Sequence, residues 1–485
     1  MKLTKLIKLT SLMLTAATLA TGIAFTSCTK QTTNPDNPFG SNPMAQLTSG
    51  QGAANDPSNQ TPNLNWTPGE VTGEKKLYGK TEIGDVVMRF GDLFFSRGDG
   101  ALMNYFTLDN PGGAEILCFD PLCLHLPQDE KCSAIINSYL RDWGSTTVYP
   151  FGWYIDEYEN NQSPVIYFFY RRDDTYTIDT QSAGHREPVY CIERFDISKG
   201  YREIIMDNIE YTMQRMWNYG DYIYYILDRG DEEGQMLYRI HKSGGEPKQL
   251  DREEGALSLT VMDVVDDQLY YVVNSRYIYR CTLALEESTK VLDMGDVKSA
   301  TGKNGVVAGS YCGYLYYFAD VETVYTEPNK QGYSQEKCNL YRVPMSDLTA
   351  DGECVVENMI YSPDNYRFTE ETFYYLPCVW EAADKSQQPN SEVIYYNPIN
   401  NCDGKLYAMN LKTAESKLIV EDSGMTNRIY YAWNDIVLFS GLAYNESGLK
   451  NQGNGSAPNL LIAYPSDQPY HCLSEGGVFG YVGGE

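Results

Sequence analysis

Pairs of adjacent aromatic residues close three strand-like segments of this chain at a constant spacing. The segments are Tyr222-Ile223-Tyr224-Tyr225, Gln268-Leu269-Tyr270-Tyr271 and Tyr314-Leu315-Tyr316-Tyr317, and their aromatic pairs are 46 residues apart in both intervals. A repeat of that length made of short strands is too small to bury its own apolar faces, so it must stack against copies of itself. Four-stranded sheets arranged radially about an axis satisfy that demand, and the arrangement is a β-propeller.

The fullest copy runs from Met213 to Leu250. Its second strand is Tyr222 to Leu227, its third is Met236 to Ile240, Ser243-Gly244-Gly245 forms a tight turn, and Pro247 to Leu250 begins the outer edge strand. Apolar and polar residues alternate, with Tyr, Val and Ile dominant, as half-buried strands require. The second-strand signal occurs at Leu93-Phe94-Phe95, Val165 to Phe168, Tyr222 to Tyr225, Leu269 to Tyr271, Leu315 to Tyr317, Val393 to Tyr396 and Val437 to Phe439. An apolar-Tyr-Arg signal marks third strands at Leu237-Tyr238-Arg239, Ile278-Tyr279-Arg280 and Leu340-Tyr341-Arg342, with a weaker version at Leu406-Tyr407-Ala408. Insertions precede the second strands of blades two and six, at Glu157 to Ser163 and Glu381 to Ser391. The expectation is an all-β propeller of seven four-stranded blades over residues 71–485, with six and eight as the neighbouring counts.

This aromatic-pair pattern resembles the YWTD-type propellers of the low-density-lipoprotein-receptor class and related propellers of bacterial lipoproteins. The resemblance spans most of residues 75–485 at the level of blade pattern, and no copy carries Tyr-Trp-Thr-Asp itself. It implies the fold. It does not carry a function with it, because propellers host enzymes and binding modules alike.

The first 28 residues supply an address. Lys2, Lys5 and Lys8 precede an apolar stretch from Leu9 to Phe25, which ends in Phe25-Thr26-Ser27-Cys28. This order resembles the lipobox of bacterial lipoproteins, with Phe25 where Leu is usual, and implies a lipidated Cys28 at the mature N-terminus. The alternative is an ordinary secretory signal with Cys28 incidental. Residues 29–70 are rich in Asn, Pro, Gly, Ser, Thr and Gln and cannot bury enough surface to offset their ordering entropy, so they read as a tether. The implied location is the bacterial cell envelope, lipid-anchored and extracytoplasmic. A formal net charge of −27 argues against nucleic acid as a partner and against anionic lipid headgroups meeting the protein body.

The densest group of reactive side chains is Cys118, Cys123, His125 and Cys132. Three Cys and one His within fifteen residues form the ligand set of a structural zinc site, although no CxxC spacing is present. Export favours a disulfide, Cys123–Cys132 or Cys118–Cys132. Disulfide, metal and packed free thiols all remain open readings. The Asp120-Pro121-Leu122-Cys123-Leu124-His125 stretch also resembles one in bacterial lipoproteins with propellers of this type. Cys338 and Cys354 flank a hairpin turn near Ser346 and are candidates for a cross-strand disulfide. Cys281 occupies the place of the inward Ile240 of the preceding blade and reads as a buried free thiol.

The 41 tyrosines fall mostly at repeated strand positions, where packing between blades accounts for them. Trp143, Trp153, Trp380 and Trp433 lie off that register and are the candidates for ligand stacking from loops. Catalytic signatures are sparse. There are four His, and no nucleophile elbow, HExxH helix, phosphate loop or dinucleotide fingerprint occurs. Arg-Gly-Asp at 97–99 and 229–231 reads as turn chemistry. The leading expectation is therefore a non-enzymatic module that binds a protein, peptide or glycan, without a required cofactor. The rival is a carbohydrate-active hydrolase or lyase with paired carboxylates at the tunnel mouth.

Overall fold

The computed structural model describes residues 75–77, 87–91, 93–97, 103–107, 110–118, 122–124, 153–155, 165–172, 189–196, 201–230, 233–251, 256–295, 305–325, 334–377, 380–382, 396–398, 405–420, 429–441, 459–463 and 471–474. All of them belong to one compact unit, Thr48–Gly483. The leader, the tether and Cys28 lie outside the described residues.

Among the described residues the chain forms seven four-stranded antiparallel meanders, each in sequence order, and one two-stranded ribbon. Strands within a blade are lettered a to d from the axis outward. Blade 1 comprises Val87–Phe90, Leu93–Arg97, Met103–Thr107 and Asn110–Ile116; blade 2 comprises Trp153–Ile155, Val165–Arg172, Val189–Asp196 and Tyr201–Ile209. Blade 3 is Thr212–Tyr219, Tyr222–Asp228, Gln235–His241 and Lys248–Gln249; blade 4 is Leu259–Val265, Gln268–Val273, Tyr277–Thr282 and Thr289–Asp293. Blade 5 is Val306–Tyr311, Tyr314–Tyr325, Ser334–Pro344 and Glu353–Ile360. Blade 6 is Tyr366–Phe368, Thr372–Tyr375, Leu406–Asn410 and Ser416–Val420, and blade 7 is Ile429–Trp433, Ile436–Gly441, Asn459–Ala463 and His471–Ser474. The fold is the all-β propeller that the repeat demands.

The aromatic pair has two separate jobs. Its second member turns toward the preceding blade and stacks on the third-strand Tyr directly opposite. Tyr225–Tyr238, Tyr271–Tyr279, Tyr317–Tyr341 and Tyr375–Tyr407 stack with ring centroids 5.6, 5.5, 5.5 and 5.5 Å apart. Such pairs contribute about 0.5–1.5 kcal/mol each beyond the area they bury. The first member turns toward the following blade. Tyr224 Oη donates to the Leu283 carbonyl at 2.9 Å, on the c–d turn of blade 4. Arg239, opposite Tyr224, lies 4.5 Å from the Tyr222 ring centroid and donates to the same carbonyl at 2.8 Å. The clamp recurs two blades on. Tyr316 donates to the Leu411 carbonyl, and Arg342, 4.4 Å from the Tyr314 ring centroid, reaches Leu411 and Lys412 at 3.3 and 3.1 Å. The apolar-Tyr-Arg signature thus encodes a stack within the blade and a tie to the next one.

Ring closure uses side chains, because blades 1 and 7 are each complete in sequence and exchange no strand. Phe94, fully buried, meets Trp433 edge-to-face at 5.3 Å. Arg89 pairs with Asp435, with Nη2 donating to Oδ2 at 3.0 Å.

Two sequence expectations are corrected. Strand b of blade 6 is Thr372–Tyr375, and Val393 to Tyr396 is not that strand. The Tyr374-Tyr375 pair fits the repeat because Tyr366–Phe368 precedes it across a short turn, and the insertion follows strand b. Tyr396–Pro398 instead pairs with Trp380–Ala382 in the ribbon. Cys338 and Cys354 do not face each other. Cys338 opposes Met359 and Cys354 opposes Tyr341, and both are free thiols. The hairpin is centred beyond Ser346, and register shifts on both sides of Leu340 separate the two positions further. Cys281 opposes Leu269 as Ile240 opposes Ile223 and is a buried free thiol, as its register implied.

Candidate functional site

A meander of four strands sends its a–b and c–d turns to one end of the propeller and its b–c and d–a connections to the other. The turns at the first end are mostly tight, as at Gly220-Asp221, Asp266-Asp267, Cys312-Gly313 and Asn434-Asp435. The long segments fall at the second end: 117–152, 173–188, 294–305, 376–405 and 442–458. The exception is 156–164, the a–b connection of blade 2.

The short-turn end of the tunnel is crossed by the chain's own N-terminal segment. The Lys75 side chain lies against Gly220 of blade 3, and Lys76 Nζ pairs at 3.0 Å with Glu370 of blade 6, across the ring. Leu77 is buried in the cluster that contains Trp217, Tyr224, Leu259 and Leu269. The short-turn mouth is therefore closed by residues 75–77.

The long-connection end carries exposed apolar side chains. Leu122 and Leu124 are 86% and 76% exposed, Leu257 is 79% exposed, and Tyr211 is 38% exposed. They sit on the d–a connections that follow blades 1, 3 and 2 respectively. Leu257 is held in place from below. The Gln235 and Ala256 backbones exchange hydrogen bonds at 2.6 and 3.0 Å, which docks the connection against blade 3. Gly234 permits this, because its φ is +69° and a Cβ there would meet the Ala256 carbonyl oxygen at 2.7 Å. Beside it, Arg229 lies 5.2 Å from the Tyr211 ring centroid and pairs with Glu233 at 2.6 Å. The hydrogen bond with Tyr211 holds the Arg229 guanidinium above its usual range.

Cys118 and Cys123 are buried on the same end, Cys123 between the exposed Leu122 and Leu124. His125, Cys132 and Trp143 lie outside the described residues. Among the described residues no group of three His, Cys, Asp or Glu side chains is gathered for a metal. Trp153 and Trp380 are on strands, at the start of blade 2 and in the ribbon. Trp433 is corrected as a stacking candidate. It ends strand a of blade 7 at the short-turn end, and its ring packs on Phe94.

Inside the tunnel the inner strands present polar groups that sequence reasoning did not single out. Arg215 of blade 3 lies 5.4 Å from the Trp217 ring centroid. Among the described residues it makes no hydrogen bond and no ion pair, and burial pulls its guanidinium down to about 10. The Tyr311 phenol of blade 5, two blades on, acts on it electrostatically. Burial and Asp263 of blade 4 push the Tyr311 phenol upward. The sequence signal for Arg215 was a cation flanked by Met213, Met216 and Trp217 on an inner strand.

No protein-family model and no curated protein matches the chain. Its structure is similar to an oligogalacturonate lyase from Vibrio parahaemolyticus, at 12% identity over 81% of this chain and 91% of that one, TM-score 0.40. An uncharacterized protein from Listeria monocytogenes is similar at 12% identity over 65% and 80%, TM-score 0.33. So is the β-propeller domain of the Trilobed protease from Pyrococcus furiosus, at 11% identity over 65% and 95%, TM-score 0.27.

Proposed function

We propose that this chain is a lipid-anchored, extracytoplasmic β-propeller of the bacterial envelope that binds a protein, peptide or glycan through its long-connection end. The observation that carries the reading is the exposure of Leu122, Leu124, Tyr211 and Leu257 on three successive d–a connections. Among the described residues four of the six exposed large apolar side chains lie at this end, the others being Ile204 and Leu418 on outer strands, and such a grouping marks an interaction surface. Aliphatic side chains favour a protein or peptide, since glycans are held chiefly by aromatic faces and hydrogen bonds. The anchor reading is supported by the Lys-rich, apolar, small-residue and Cys28 order of the leader. Kinship with YWTD-type propellers is supported by the aromatic pairs and the third-strand Tyr and Arg. In this reading the Cys118–Cys132 loop is a disulfide or metal-held staple for the surface beside it. Thiol labelling with and without chelator distinguishes the two.

Two experiments test the proposal. Cys28→Ala should move the protein from the membrane to the soluble fraction, and unchanged retention would refute the anchor. Full-length protein in detergent should capture peptides or glycans from an array, and Leu122→Asp with Leu257→Asp should abolish capture while the melting temperature is kept. Capture indifferent to both substitutions would refute the binding end, and turnover of an arrayed glycan would favour a carbohydrate-active enzyme.

A further inference from the structure

Three polar atoms on the inner strands lack partners. The Arg215 guanidinium has neither a hydrogen bond nor an ion pair among the described residues. Trp217 Nε1, on the ring that Arg215 faces, is buried without an acceptor, as is Ser310 Oγ, next to Tyr311. Buried polar atoms in native proteins are nearly always paired, so orphan donors on the inner strands of blades 3 and 5 call for a physical reason. Arg215 is half-buried, and a cation without an ion pair is the costliest of the three to shield from water.

The order of residues along strand a of blade 3 places these groups at depth. Thr212 stands at the long-connection end and Tyr219 at the short-turn end. Leu77, Lys75 and Lys76 close the short-turn mouth, with Leu77 packed in the cluster of Trp217. Arg215 lies on the long-connection side of that plug. The lumen is thus closed at the short-turn end, with Leu77 and Trp217 at that floor and the Arg215 guanidinium farther along its wall.

We propose that this lumen is an anion subsite in which Arg215 receives a carboxylate carried by a peptide that docks on the long-connection end. The guanidinium fork matches the planar two-oxygen acceptor of a carboxylate. Among the described residues Arg215 is the one cation here, with the Asp263 carboxylate also acting on Tyr311, so the site suits one negative charge better than the two of a phosphate. The chain is otherwise strongly acidic, at −27, so its surface disfavours anions in general and leaves this site as a selective one. The Tyr311 phenol of blade 5 stays protonated at neutral pH and can donate to the same ligand. The peptide assignment rests on the reading of the exposed leucines above; the carboxylate assignment does not.

The test uses the full-length protein in detergent and pairs of probes that differ only in charge. Acetyl-glutamate amide is compared with acetyl-glutamine amide, and glucuronate with glucose, by calorimetry and thermal shift. Acetyl-glutamate amide should bind on the order of tenfold more tightly than its neutral partner, a discrimination usual for a charge-assisted fork. Arg215→Met should remove the discrimination and Arg215→Lys should keep part of it. Without ligand, Arg215→Met should melt no lower than the parent, because a half-buried cation that makes no hydrogen bond or ion pair is replaced by an apolar chain of similar length. Equal binding of each charged and neutral pair, or discrimination that survives Arg215→Met, would overturn the subsite. A marked fall in melting temperature of ligand-free Arg215→Met would also overturn it, by making the arginine a structural element. Glucuronate preferred over the glutamate probe would overturn the peptide assignment. Leu122→Asp tests the docking surface separately, since the small probes do not reach it.

Discussion

The inter-blade clamp makes a quantitative claim about one carbonyl. Leu283 O accepts from Tyr224 Oη at 2.9 Å and from Arg239 Nη1 at 2.8 Å. Tyr224→Phe removes one donor and leaves the acceptor paired, so the expected loss is about 0.5–1.5 kcal/mol, the net value of one hydrogen bond. Arg239→Met removes the other and keeps the aliphatic stem against Tyr222. The double variant strands a carbonyl between blades, which adds a desolvation penalty of about 1–3 kcal/mol that neither single variant meets. The double-mutant cycle should therefore show coupling of more than about 0.5 kcal/mol, with the double variant worse than the sum. Urea unfolding followed by tryptophan fluorescence provides the measurement, read from the midpoint at unchanged slope. Blade 6 supplies an internal control. Tyr374 reaches the Trp433 and Asn434 carbonyls at 2.8 and 3.1 Å, and Ala408 stands where the arginine would be. Tyr374→Phe should therefore cost about 1–3 kcal/mol, more than Tyr224→Phe. Additivity within about 0.3 kcal/mol in blade 3, or an equal cost at the two tyrosines, would refute the shared acceptor.

Phe94→Ala should lower stability by about 3–5 kcal/mol, because it removes a fully buried ring from the seam with Trp433; denaturant unfolding checks it. Cys281 and Cys338 are buried, and burial pushes both thiols up to about 12, so neither should label in native protein at pH 8. Cys354 is exposed and also raised, so it should label, and faster as pH rises toward its shifted value, as peptide mapping would show. Arg276 holds the Asp293 carboxyl below its usual range, and Lys248 does the same for Glu286. These depressed values mean that both pairs contribute above the ordinary carboxylate range and that the contribution is lost as pH falls through the folded-state values. A melting-temperature profile should fall on acidification and flatten for Asp293→Asn. Leu77→Asp should open the short-turn mouth and make the Lys75–Leu77 segment a protease site, detectable by N-terminal sequencing of the fragment.

What could be read from the chain was whatever repeats. The aromatic pair, the alternation and the Tyr-Arg signature recur because each blade solves the same packing problem, so one copy interprets the next. Blade 6 was misplaced where that logic became ambiguous: Tyr374-Tyr375 and Tyr395-Tyr396 both carry the pair, and only the short turn from Tyr366–Phe368 decides between them. The Cys338 and Cys354 pairing failed for a related reason. Symmetry about a guessed turn residue ignores the register shifts beside Leu340, and a shift of one residue reverses which face a side chain takes.

Contacts made only once were not legible. Arg89 and Asp435 are 346 positions apart, and nothing in either neighbourhood marks the other as a partner. Trp433 reads as a loop aromatic in sequence because its role is defined by Phe94, at the opposite end of the chain. Arg215 stands out only when blades 3, 4 and 5 surround one lumen, for the information lies in the partner it lacks. The N-terminal segment belongs to the same class. Lys75 and Lys76 follow the tether and touch turns of blades 3 and 6 at one mouth of the tunnel. On the proposed anchoring at Cys28, the chain then approaches the propeller from its short-turn end. If the anchor lies at Cys28 as proposed, the segment 75–77 closes the tunnel on the membrane side and leaves Leu122, Leu257 and Arg215 on the side turned away. An anchor joined at the opposite end would press the apolar connections toward lipid, so on the proposed anchoring the placement of three residues outside any blade sets which end of the propeller faces away from the membrane.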